Sequence, residues 1–160
     1  MNSKWLETLR EGLIAGVVGY SATVVLFAVA NLLMGRPVFH TAAVLGAALF
    51  YGVRDPMQVA VIPAYVLAYN GVHLIVFLAL GLVGAALARL ADRGAELWYV
   101  GLFFFIFVSF HLIATVQAVA YPMRSLISDA AIWIAGITAG LLMVGSLLRT
   151  HPAIRASEPG

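Results

Sequence analysis

The sequence predicts an all-α integral membrane protein, a four-transmembrane-helix bundle with a short interfacial or re-entrant helix between the first and second spans. Three observations lead there. Of 160 residues, 63% are hydrophobic and 10% charged, with a mean hydropathy of +1.02, whereas a soluble domain carries about 25% charge. The apolar residues come in runs longer than ~18, the length at which a helix crosses a ~30 Å hydrocarbon core. Eight of the nine Lys and Arg fall outside those runs, and the ninth, Arg89, sits at the end of one. The ~10-residue alternating segments of a membrane β-barrel are absent, and the length suits one membrane domain, 1–160.

Composition also narrows the chemistry. With no cysteine, the chain has no disulfide, iron–sulfur cluster, c-type haem attachment or thiol chemistry. That argues against a thiol-dependent four-helix quinone reductase. The net charge of +2 comes from arginines at helix ends, which read as topology signals and not as a nucleic-acid surface. The N-terminus lacks a short apolar core followed by a small-residue cleavage site, so no cleaved signal peptide is expected.

Residues 1–10 read as a short amphipathic lead-in, with Trp5 and Leu6 at the interface and Lys4 and Arg10 at headgroups. The first span covers 12–34 and carries Gly12-x-x-x-Gly16 and Gly19, small residues that let a neighbouring backbone come close. Gly35-Arg36-Pro37 ends it. The apolar run 38–53 is short for a span, and with Thr41 as a cap it predicts an interfacial or re-entrant helix over 41–53. Arg54-Asp55-Pro56 breaks the chain again.

The second span covers 63–90, with the apolar stretch beginning at Met57 long enough to tilt, project or bend at Pro63. A polar turn at 91–96 leads to a third span over 97–121, anchored by Trp98 and Tyr99 and carrying His111, Thr115 and Gln117. The fourth span covers 128–148, capped by Ser128 or Asp129 and containing Gly136-x-x-x-Gly140. A polar tail follows over 149–160. Four spans put Lys4, Arg10, Arg89, Arg93, Arg149 and Arg155 on one side and Arg36, Arg54 and Arg124 on the other. The positive-inside rule then places both termini in the cytoplasm of a bacterial inner membrane. A fifth span at 38–53 would split the charges four against five, so four spans are preferred.

The second span holds the densest set of intramembrane polar groups, PAYVLAYNGVHLIVF over 63–77. Tyr65, Tyr69 and His73 are four apart and Asn70 is three before His73, so they share one helical stripe that Phe77 continues. Such groups cannot face hydrocarbon at no cost. The stripe therefore faces protein, a watery pocket or a cofactor. His73 lies ~15 Å from the outer start of its span and His111 ~21 Å from the inner start of the next, which puts both in the outer half of the membrane on neighbouring helices.

Two readings of these residues compete. In one, His73 and His111 are axial ligands of a b-type haem or a (bacterio)chlorophyll, or with His40 hold a transition metal, while Tyr65, Tyr69 and Asn70 support them or bind a quinone carbonyl. In the other, each histidine is satisfied by a helix carbonyl or hydroxyl and serves helix packing. No H-x-x-x-H spacing and no intramembrane Asp or Glu accompanies the pair, and His151 in the tail receives no role. Arg36, Arg54, Asp55, Arg124 and Asp129 on the outer face read as rim pairs, headgroup contacts and capping.

The run GRPVFHTAAVLGAALF, after a glycine-rich first span, resembles small bacterial four-helix inner-membrane proteins of about this length. Gly35, Arg36, Pro37, His40, Thr41, Leu45, Gly46, Tyr69 and His73 carry the resemblance, which covers the first half of the chain. It implies the fold and the membrane, and no activity. The expected function is a non-catalytic accessory subunit of a larger bacterial membrane complex, respiratory or photosynthetic, in contact with lipids and other membrane-protein subunits. It rests on three features: no soluble domain, no catalytic constellation, and several glycine-lined helix faces. The alternative is a small electron-transport or metal protein that uses the intramembrane histidines and exchanges electrons with quinone. A transporter or channel is a third and weaker class, since no internal repeat, broken-helix pair or midplane acid is visible.

Overall fold

The structure, a computed structural model, describes residues 3–55, 58–92, 106 and 126–151. Those residues form helices α1 (Ser3–Leu33), α2 (His40–Tyr51), α3 (Pro63–Ala91) and α4 (Asp129–Thr150), with no strand among them. Trp5–Leu33, Pro63–Leu90 and Asp129–Thr150 are long and apolar enough to cross a membrane. Of the expected third span over 97–121, all but residue 106 lies outside the described residues, His111 included.

The expected amphipathic lead-in is not a separate segment, because α1 starts at Ser3 and runs unbroken into the apolar stretch. No proline interrupts it before Pro37, and Glu7 is tied across to Arg89 at 3.2 Å. At its far end Gly35 takes φ +66°, a left-handed backbone that glycine adopts without a Cβ penalty. The Gly35 N–H bonds Leu32 O at 3.0 Å and the Arg36 N–H bonds Asn31 O at 2.8 Å, a Schellman closure.

α2 begins at His40, behind Phe39, and no side chain caps it. The expected Thr41 cap is therefore corrected: its hydroxyl donates to Asn31 Oδ1 at 2.9 Å, a tertiary bond in place of a local one. Gly52, again at φ +66°, ends the helix with its N–H on Ala47 O. At 12 residues α2 is ~18 Å long, short of a ~30 Å core. Ala43, Val44, Leu45 and Ala47 are at most 2% exposed. Protein encloses its first half, while Leu49, Phe50 and Tyr51 in the last turn are exposed.

Pro63 does not bend the second span but starts it. Ile62 before it is extended at φ −110°, ψ 151°, as the residue before a proline prefers, and the proline occupies the helix start, where its missing N–H costs nothing. α4 is capped by Ser128, whose Oγ accepts from the Ala131 N–H at 3.3 Å, and Asp129 in the first turn suits the helix dipole.

α1 packs along both α3 and α4, while α2 lies mainly against α3. The α1–α3 seam is a backbone-to-backbone contact. A Cβ on Gly12 would lie 2.7 Å from Leu82 Cα, and one on Gly16 would lie 2.6 Å from Phe77 O. A Cβ on Gly81 would run into Gly12 O and lie 2.6 Å from Gly16 N. Such approach is what small residues at helical spacing permit. Gly136 contributes no comparable contact, since a Cβ there meets nothing within 4 Å among the described residues.

Three apolar clusters follow the seam. Ala15, Ala85 and Leu147 form one, Phe77, Ala139 and Met143 the next, and Val44, Leu45, Ile127 and Ile132 the third under α2. Leu67, Ile75 and Leu141 are 60–69% exposed, and outward apolar side chains like these suit a lipid-facing surface. At one end Glu7 pairs with Arg89, and His151 lies between Glu11 and Asp92. At the other, Arg36 Nη1 donates to Leu126 O. α1 is thus antiparallel to both α3 and α4. Asp92 and Leu126 lie at opposite ends of the bundle.

Candidate functional site: a polar pocket between the first three helices

The spacing of Tyr69, His73 and Phe77 on α3 stacks their rings into a ladder. Tyr69 and His73 are stacked, with centroids 4.9 Å apart and planes at 23°. Phe77 meets His73 edge-on at 4.9 Å. Tyr20 on α1 faces the imidazole at 6.1 Å, tilted by 56°. Ring pairs of this kind contribute about 0.5–1.5 kcal/mol each beyond their area burial. His73 is therefore fixed mainly by aromatic packing, and its Nε2, though buried, has no hydrogen-bond partner among the described residues. Leaving such an atom unpaired costs about 1–3 kcal/mol.

Asn70 is committed on both sides. Its Nδ2 donates to Val66 O at 3.0 Å, and its Oδ1 accepts from Tyr20 Oη at 3.3 Å. The first bond stays within α3 and the second joins α3 to α1. Tyr65 leaves the set altogether: its ring lies 4.7 Å from Tyr51 at the end of α2.

Tyr69, Asn70 and His73 line a partly open cavity of about 30 Å³, together with Thr23 and Asn31 of α1 and Thr41 of α2. That is room for one or two water molecules. Thr23 is satisfied within its own helix, donating to Gly19 O at 3.0 Å. Asn31, 1% exposed, is the clip of the site. Its Nδ2 donates to Val38 O at 2.9 Å while its Oδ1 accepts from Thr41, so one amide holds both the turn and the start of α2 against α1.

His40 is not among the residues lining this cavity. Its Nε2 is also buried without a partner among the described residues. Burial, and then the Arg36 guanidinium, hold its pKa below the usual imidazole value, so the ring is neutral at neutral pH. No group of three or more His, Asp or Glu side chains able to hold a metal ion occurs among the described residues. A pocket for an organic ligand measures on the order of 300 Å³ or more, about ten times the space that these described residues leave.

Sequence reasoning missed Tyr20 and Asn31. The signal was present, because Tyr20, Thr23, Phe27 and Asn31 recur at spacings of three, four and four on one face of α1. It also missed His151, which is 5% exposed with both ring nitrogens on carboxylates. Glu11, Asp92 and His151 lie together at the end of the bundle opposite α2. Comparison of the chain with protein-family models, curated proteins and solved structures finds no match.

Proposed function

We propose that the chain is a non-catalytic helix-bundle subunit of a larger bacterial membrane complex, with respiratory and photosynthetic assemblies the first to examine. One observation carries the reading. The polar stripe is turned inward and met by the chain's own groups: His73 by Tyr69, Phe77 and Tyr20, Asn70 by Tyr20 and Val66, and Asn31 by Thr41 and Val38. What remains is a space of water size. A bundle organised in this way offers its neighbours an outer apolar surface and a rigid frame. Native electrophoresis of membranes solubilised in mild detergent tests this. The chain is expected to migrate at several times its own 17.0 kDa; migration as a lone monomer or dimer overturns the reading.

One observation favours a second reading. Two buried imidazole nitrogens, on His40 and His73, lack partners among the described residues, and an unpaired imidazole nitrogen is a ready metal ligand. In that reading the chain is a small redox or metal protein in which His73, with His111 or His40, holds a haem, a pigment or a transition metal and trades electrons with quinone. The cavity size weighs against a macrocycle at His73.

A further inference from the structure

The end of the bundle opposite α2 holds a cluster that the polar pocket does not involve. His151 follows the last residue of α4 and is 5% exposed. Its Nδ1 lies 2.5 Å from Asp92 Oδ2 at the end of α3, and its Nε2 lies 3.2 Å from Glu11 Oε2 in α1. A neutral imidazole has one N–H and one lone pair. It can donate to one of these carboxylates, and it then turns a lone pair on the other. Both contacts are attractive when the ring carries two protons and donates to each. Because each nitrogen serves a different carboxylate, the three groups do not converge on one point as metal ligands would.

We propose that Glu11, Asp92 and His151 form a proton-dependent clamp that fastens the ends of α1, α3 and α4 to one another. With the proton bound, one imidazolium bridges two anionic partners. When it leaves, one bridge becomes repulsive and this end of the bundle loosens. The sign follows from proton counting. The closed clamp binds one proton more than the separated groups do with the imidazole neutral, so raising the pH favours the loosened state. At this end the other charged groups with described side chains are Glu7 and Arg10 on α1, Arg89 on α3 and Arg149 on α4, and none of them bonds the ring. The Glu7–Arg89 pair at 3.2 Å links α1 to α3 without any histidine, so breaking the clamp loosens this end without dissolving it.

Thermal unfolding of the full chain in detergent tests the clamp, run from about pH 5 to about pH 8, the interval over which a histidine ordinarily changes charge. The wild-type midpoint is expected to exceed that of His151→Gln by about 2–4 °C at the acidic end, with the difference shrinking as the pH rises. Parallel profiles for the two proteins overturn the proposal. Should His151→Gln fail to accumulate, Glu11→Gln decides. Its midpoint is expected to fall below that of wild type at the acidic end by a margin that shrinks as the pH rises, and a margin that does not change with pH refutes the clamp.

Discussion

Gly81→Leu is expected to prevent the chain from accumulating as a folded bundle. The reason lies in which atoms the new side chain would meet. A Cβ at position 81 runs into Gly12 O and lies 2.6 Å from Gly16 N, both of them backbone atoms of α1. A crowded side chain can change rotamer, but a helix backbone cannot retreat without moving the whole helix. Overpacking in a core that can adjust costs about 1–3 kcal/mol, and here the cost is at least the upper figure. Gly12 and Gly16 meet α3 through Leu82 and Phe77 in the same manner, so the entire α1–α3 seam opens. The measurement is the monodisperse yield and melting midpoint in detergent. A midpoint lower by at least ~6 °C is expected where any folded protein survives. Gly71→Leu on the same helix is the control: a Cβ there meets nothing within 4 Å among the described residues, and the midpoint stays close to that of wild type.

Gly46→Val is the second substitution of large effect, and its damage is local. A Cβ on Gly46 runs into Tyr65 O, again a backbone atom. α2 sits mainly on α3, so the valine lifts it from its seat and separates the Tyr51 and Tyr65 rings, now 4.7 Å apart. The start of α2 stays tethered by the Asn31–Thr41 bond at 2.9 Å. The helix is therefore expected to swing outward about that clip while α1, α3 and α4 hold together. Val44 and Leu45, at 0% and 2% exposed, then become accessible. Limited proteolysis reads this directly: new cleavage between residues 36 and 55 is expected in Gly46→Val, at a rate at least tenfold above wild type, which corresponds to a loss of about 1.4 kcal/mol in local closure. An unchanged cleavage pattern would mean that α2 does not depend on the Gly46 contact.

These residues also show where sequence reasoning reaches and where it stops. The three long helices were legible because each is an apolar run closed by punctuation with a physical cause: Gly35 in the left-handed region, Pro63 at a helix start, Ser128 as a cap. The Tyr69–His73–Phe77 ladder was legible because a spacing of four within one helix fixes which side chains stack. Tyr65 belongs to the same stripe yet pairs with Tyr51, because its neighbour comes from a separate segment whose packing no local pattern encodes. Thr41 reads locally as a cap and instead bonds Asn31, a tertiary partner outcompeting a local one. The Glu11–His151–Asp92 cluster required the ends of three helices to be brought together first. The expectations for His111, Thr115 and Gln117 fall outside the described residues.

The polar stripe of α3 is turned inward onto the chain's own side chains. The most direct test is a reduced-minus-oxidised absorption spectrum of the protein purified from its native membranes, recorded for wild type and for His73→Ala. The two spectra are expected to be the same. They are flat when the chain is isolated alone, and any haem or pigment band carried by a co-purifying partner is left intact by the substitution. A band present in wild type and lost in His73→Ala would contradict the account and make His73 a ligand.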